Sequence, residues 1–178
     1  METYHLKVAG LERDLPVCPL GNGVSIAGFV MFSDVELTIA CATELLKKVP
    51  DCDVFLTAES KGIPLAYEMS RQSGKQWIPA RKGAKLYMKE PVIIEDQSIT
   101  TAGKQTLVID KKDIDYMNGK RILIVDDVIS TGGSLHALET LAAKSTGTVV
   151  GCCAALAEGD AAKRTDIFFL EPLPLFAH

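Results

Sequence analysis

The sequence has no Cys-x-x-Cys pair, and its five cysteines are odd in number. Cys18, Cys41, Cys52, Cys152 and Cys153 therefore read as buried thiols in a reducing compartment, not as metal ligands. Three histidines, His5, His136 and His178, are scattered without ligand spacing. A basic excess is also missing. The formal net charge is −4, whereas a chain that binds nucleic acid would show a basic face. No apolar run is long enough to cross a bilayer. The first residues, METYHLKVAG, lack the apolar core of a secretory signal. The expectations are no nucleic-acid partner, no membrane and a cytoplasmic location. Internal repeats and low-complexity tracts are absent as well.

What remains is an ordinary globular composition. Of 178 residues, 47% are apolar and 24% charged, enough for one domain, residues 1–178, with its own core. Gly10–Gly28 is rich in Gly and Pro and reads as loops with short strands. Asp34 is placed to cap a helix reaching Lys48, with Val35, Ile39, Ala42 and Leu46 as its apolar stripe. Short strands are expected at Val54–Ala58, Gln76–Ala80, Arg121–Val125, Val149–Ala155 and Ile167–Leu170. Helices are expected at Ile63–Ser70, with Leu65, Ala66 and Met69 inward, and at Ser134–Ser145, with Leu135, Leu138, Leu141 and Ala142 inward. Pro91–Glu95 and Thr106–Ile109 form the arms of a β-hairpin, and Asn118-Gly119 a turn. Apolar strands alternating with amphipathic helices predict an α/β fold, a parallel sheet flanked by helices on both sides. In such sheets ligands sit at the carboxyl ends of the strands.

The richest strand end is LIVDDVISTGGS, Leu123–Ser134. Two acids, Asp126 and Asp127, precede a turn of small residues, Ser130, Thr131, Gly132, Gly133 and Ser134, that opens a helix. Small residues let backbone N–H groups and a helix N-terminus face an anion. Without a lysine after the glycines this is not the nucleotide P-loop. A monophosphate in the turn directs its sugar back towards the strand, where two carboxylates accept hydrogen bonds from vicinal hydroxyls. The constellation fits ribose 5-phosphate. A second loop, Glu59-Ser60-Lys61-Gly62, follows the strand at Val54–Ala58. A third, Arg81-Lys82-Gly83-Ala84-Lys85, follows Gln76–Ala80 and supplies three cations.

LIVDDVISTGGS resembles the signature that binds PRPP (5-phosphoribosyl 1-diphosphate) in type I phosphoribosyltransferases. The resemblance implies that Asp126 and Asp127 hold the ribose hydroxyls and are the catalytic acids. It assigns the 5′-phosphate to Ser130–Ser134. Glu59–Gly62 is similar to the EARG or EASG loop of the purine enzymes, which contacts pyrophosphate. The next segment resembles their RKxxKLP element, giving Arg81, Lys82 and Lys85 a share in pyrophosphate binding, partly across a homodimer interface. Gly28–Asp34 resembles the PGxxFRD segment of adenine enzymes, which would set Phe32 against the purine with Met31 as an apolar wall. The family fold adds a small N-terminal hood, here about residues 1–33, and a flexible β-hairpin flap, about 83–108. In adenine enzymes the flap carries YxxEYG. Here Ser98–Gly103 stands in its place and puts Thr101 where that motif has glutamate; Glu95 and Asp96 are the neighbouring acids.

The resemblance implies a purine phosphoribosyltransferase, adenine favoured, that makes AMP and pyrophosphate from PRPP and the base. Mg²⁺ is the expected cofactor, held through PRPP oxygens and not by a protein metal site. A xanthine or hypoxanthine enzyme, or a regulator of the same fold that binds PRPP or purine without turnover, fits the same PRPP turn. The lack of an attached DNA-binding segment speaks against a self-contained transcription regulator.

Overall fold

In strands buried on both faces, apolar residues run without interruption. Val54–Ala58 (β4), Arg121–Ile129 (β8) and Thr148–Glu158 (β9) are of this kind. The computed structural model describes residues 2–96 and 105–177, with the side chains of Asp96 and Gln105 outside that description. Earlier in the chain lie Thr3–Val8 (β1), Leu11–Pro19 (β2), Val24–Ala27 (β3) and helix Val35–Lys48 (α1). Helix Ile63–Ser73 (α2), strands Gln76–Ala80 (β5), Pro91–Asp96 (β6) and Gln105–Asp110 (β7), and helix Lys111–Met117 (α3) follow β4. After β8 come Gly133–Ala142 (α4), β9, a 3₁₀ turn at Gly159–Lys163, Phe168–Leu173 (β10) and Leu175–Ala177 (β11).

Five strands form a parallel sheet in the order β10-β9-β8-β4-β5. Side chains alternate between two cores. Val54, Leu56, Ile122 and Ile124 pack with Leu135, Leu138 and Leu141 of α4 and with the hairpin on one face. Phe55, Leu123 and Val125 pack with α1, α2 and the N-terminal strands on the other. The fold is thus the expected α/β sheet with helices on both faces. The expected hairpin is also present, with Val92 in register with Ile109 and Ile94 with Leu107. Ser98–Gly103, including Thr101, lies outside the described residues. Among the described residues no helix is long and apolar enough to cross a membrane.

Several expectations needed correction. Gly10–Gly28 is mostly strand: β2 runs for nine residues against β1, and β3 pairs with β2. Pro16 lies inside β2 opposite Thr3, and the other Gly and Pro residues occupy the ends and turns of an antiparallel sheet. That sheet takes the order β1-β2-β3-β11, so its fourth strand comes from the far end of the described chain. In α1 the buried face is Leu37, Thr38, Cys41, Ala42 and Leu45, while Val35 and Ile39 are exposed. Both stripes have helical spacing, and docking against α2 and β10 selected the second. The α3 helix went unseen because it is short and polar, with only Ile114 and Met117 buried.

Asp34 does cap α1, its carboxylate accepting from Leu37 N–H at 3.1 Å. The same carboxylate takes Arg13 of β2 at 2.8 and 3.2 Å. The guanidinium holds the Asp34 carboxyl below the usual carboxylate range. One residue therefore starts the helix and fastens the antiparallel sheet to it. We expect Asp34→Ala to cost about 1–2 kcal/mol at neutral pH, read as a lower urea midpoint. A depressed carboxyl contributes stability above its unfolded pKa, so the difference from wild type should shrink as pH falls below about 4.

Candidate functional site

From β4 the chain crosses to β5 on one side, and later returns to β8 on the other. The carboxyl ends of β4 and β8 therefore flank a topological switch point, where open α/β sheets bind ligands. A cavity of about 670 Å³ opens there, a size suited to a small organic substrate. Glu59, Ser60 and Lys61 line it from the loop after β4, Lys82 from the loop after β5, and Asp126, Asp127, Ser130 and Ser134 from β8 and its turn. The structure brings these eight expected residues together.

A smaller pocket shares Asp126, Ser130 and Ser134 with the main cavity and is completed by Thr131, Gly132 and Gly133. Gly132 has φ +85°, a conformation that favours glycine, and its carbonyl accepts from His136 N–H in the first turn of α4. The turn therefore presents backbone N–H groups together with a helix N-terminus, an arrangement that attracts anions. Behind it stands a cation the sequence did not single out. Arg164 is fixed by Asp166 through two 2.8 Å bonds, and its Nη1 lies 3.1 Å from where a Cβ on Gly132 would be.

The acidic pair lies inside β8, not after it, because the strand continues to Ile129 instead of stopping at Val125. Adjacent strand residues face opposite ways, yet both acids line the cavity. Pairing of β8 with β4 ends at Ile124–Leu56, which opens the space beside Asp126 and Asp127. Asp126 Oδ1 accepts from Asp127 N–H at 2.8 Å. Asp127 is 4% exposed, and its Oδ2 is buried without a hydrogen-bond partner among the described residues, as is Thr57 Oγ1. Burial, reinforced by the neighbouring Asp127, pushes the Asp126 carboxyl well up from its ordinary value.

Gly62 does not line the cavity but permits its shape. A Cβ there would sit 2.5 Å from Thr57 Oγ1 and 3.3 Å from Asp126 Cα. The loop Glu59–Gly62 can approach β8 only with glycine at this position. Glu59 ties it to the next loop, accepting from Lys82 N–H at 2.8 Å and pairing with Arg81 at 3.2 Å. The Lys82 N–H and the Arg81 guanidinium hold the Glu59 carboxyl below its ordinary value. Arg81 is thereby occupied, with Tyr87 Oη as its other partner. Neither Arg81 nor Lys85 lines the cavity, so its cations are Lys61 and Lys82.

The wall opposite the phosphate pocket is built by β3 and the segment after it. Met31 is 1% exposed inside the core, Phe32 is 46% exposed, and neither lines the cavity. Phe29 and Val30 line it instead, with Ile26 and Ala27 of β3. Glu158 and Leu173, neighbours in register at the carboxyl ends of β9 and β10, complete this wall. Glu158 escaped the sequence reading because β9 was ended at Ala155; carried to its true end, the strand-end rule finds it. Among the described residues no group of three or more His, Cys, Asp or Glu residues is placed to hold a metal.

Removing one of two crowded buried acids should stabilise the free protein. The raised Asp126 carboxyl costs stability above its unfolded pKa and nothing below it. Asp127→Asn removes a charge that raises it and should gain on the order of 1 kcal/mol at neutral pH, with the gain fading below about pH 4. Thermal melts across pH check this.

Comparison with known proteins matches residues 34–171 to the phosphoribosyl transferase domain model. The adenine phosphoribosyltransferase of Pseudothermotoga lettingae is 35% identical over 145 residues, 79% of this chain and 81% of that one. That of Malacoplasma penetrans is 33% identical over 104 residues, 58% of each chain, so this match spans little more than half of the relative. A crystal structure of adenine phosphoribosyltransferase from Thermoanaerobacter pseudethanolicus superposes with TM-score 0.72 at 21% identity, covering 89% of this chain and 95% of that one. With its paired acids and glycine turn at the switch point of the sheet, the chain belongs to the type I phosphoribosyltransferase family, on the branch of the purine enzymes.

Proposed function

We propose that this enzyme transfers the 5-phosphoribosyl group of PRPP to a purine base, with adenine favoured, giving AMP and pyrophosphate. One observation carries the reading. A single cavity is lined by an anion-binding turn, a buried acidic pair and two cations. The adenine assignment is supported by the names of the relatives.

The 5′-phosphate occupies the turn Ser130–Ser134. Vicinal ribose hydroxyls donate to Asp126 and Asp127, which satisfies the otherwise unpartnered Asp127 Oδ2. Pyrophosphate lies towards Ser60, Lys61 and Lys82, whose positive charge favours its departure, while Arg81 and Lys85 act through Glu59 and the shape of their loop. As the bond from C1′ to pyrophosphate lengthens, the carboxylates beside the ribose favour the positive charge that develops at C1′. A ring nitrogen of the base forms the new bond, and its N–H proton leaves to the departing pyrophosphate or to water. The sheet β1-β2-β3-β11 is the hood over the base, and the β6–β7 hairpin is the flap that keeps water from C1′. Mg²⁺ suits this oxygen-rich site, beside an unpartnered carboxylate oxygen. When bound it would lie chiefly on PRPP oxygens near Asp126 and Asp127, and would neutralise the leaving group.

Exposed Val35, Ile39, Tyr67, Leu86 and Tyr87 favour a homodimer in which a second copy covers apolar surface. Five free cysteines suit a reducing cytoplasm.

The test is incubation with PRPP, Mg²⁺ and each common purine, with nucleotide and pyrophosphate quantified. AMP formation is expected. Turnover of hypoxanthine or xanthine but not adenine would reassign the base, and PRPP binding without turnover on any base would mark a binding regulator. Asp127→Asn should raise the KM for PRPP by about 10- to 100-fold, the worth of a hydrogen bond to a charged group.

A further inference from the structure

Phosphate, ribose and pyrophosphate account for the charged groups of the cavity except Glu59, which is bonded to the neighbouring loop, and Glu158. Glu158 stands at the end of β9, two strands from the pyrophosphate loop in the sheet order. It faces the same space as Phe29 and Val30, beside Leu173 of β10. Its surroundings tie it to the hood. A Cβ on the following Gly159 would lie 2.7 Å from Leu175 Cδ1 of β11, and Leu175 is in register with Ile26 of β3. Among the described residues the Glu158 carboxyl makes no hydrogen bond and no ion pair. A half-buried carboxyl with no internal partner, in a wall otherwise made of Ile26, Ala27, Phe29, Val30 and Leu173, calls for a partner in the ligand.

We propose that Glu158 reads the base: its carboxyl accepts a hydrogen bond from the exocyclic amino group of an aminopurine and so selects aminopurines over the corresponding oxopurines. This rests on the purine phosphoribosyl transfer proposed above and names the class of base. Adenine carries an amino donor on the ring carbon where hypoxanthine carries a carbonyl acceptor. The ring nitrogen beside that carbon is an acceptor in adenine and an N–H donor in hypoxanthine. The proposed contact is to the group on the carbon. A carboxyl oxygen accepts from the amino group in either protonation state. Set against a carbonyl, an ionised carboxylate leaves two buried acceptors face to face, and both lose water without gaining a partner. Burial pushes the Glu158 carboxyl up despite the opposing Lys61. The carboxyl is partly withdrawn from water, and Lys61 does not pair with it directly. Glu158 is a specificity-determining residue, while bond making and breaking at C1′ stay with the phosphoribosyl end.

The test compares adenine with hypoxanthine in wild type, Glu158→Leu and Glu158→Gln, with the KM for PRPP measured in each. In Glu158→Leu, kcat/KM for adenine should fall by about tenfold or more and that for hypoxanthine should hold or rise, with the KM for PRPP little changed. Glu158→Gln keeps an acceptor and adds a donor, so its adenine preference should lie between the other two. An unchanged adenine-to-hypoxanthine ratio in both variants would overturn the proposal, as would equal losses on both bases with a raised KM for PRPP. If wild type turns over no base, the transfer reading fails on its own, and AMP against IMP binding by calorimetry decides the role of Glu158. Loss of a wild-type preference for AMP in Glu158→Leu supports it; no such preference in wild type, or one that survives the substitution, refutes it.

Discussion

Two carboxylates share the end of a strand whose preceding residues are apolar on both faces, and no cation pairs with either of them among the described residues. Burial and the neighbouring Asp127 both oppose ionisation of Asp126 in the free protein. Its surroundings make sense as the complement of that cost. The turn after β8 supplies N–H donors, and Lys61 is near enough to be felt by Asp126 without bonding to it. Gly62 lets the neighbouring loop come within van der Waals range of Asp126. A ligand rich in hydroxyls and phosphates provides what the protein withholds.

The sheet makes this crowding possible. Its order places β4 and β8 side by side with their connections leaving in opposite directions, so two loops open where neither strand is covered. Two separate cores, one on each face, hold those strand ends in place. The acidic pair and the glycine turn thus rest on strands buried on both faces. The opposite wall of Ile26 and Ala27 belongs to the antiparallel sheet, joined to that framework through Arg13 and Asp34.

What was readable in the sequence follows the same division. Continuous apolar runs ending in Asp126-Asp127 or in Glu59–Gly62 announced both strand and site, because a fully buried strand leaves few alternatives. The hood was harder. The nine residues of β2 were obscured by the Gly and Pro around them and by Pro16 within the strand, and no local pattern shows that β11 completes the sheet. Met31 and Phe32 were singled out by resemblance, whereas Phe29 and Val30 face the cavity, a shift of two residues that also takes Met31 into the core. Whether Val35 or Leu37 marks the buried face of α1 was undecidable from spacing, since both stripes repeat as a helix does. Glu158 was lost to a strand ended three residues early.

The antiparallel sheet that lines the cavity joins Ile26 to Leu175, positions about 150 residues apart, and loop-closure entropy makes such a contact costly. The pairing of β4 with β5 needs far less chain, and that of β8 with β9 is similarly local. Local contacts favour fast folding, and long-range ones slow it. The two sides of the cavity therefore differ in how much chain must be ordered to build them: the strand ends that carry Glu59 and Asp126 depend on near neighbours, and the wall of Ile26 and Ala27 depends on both ends of the chain.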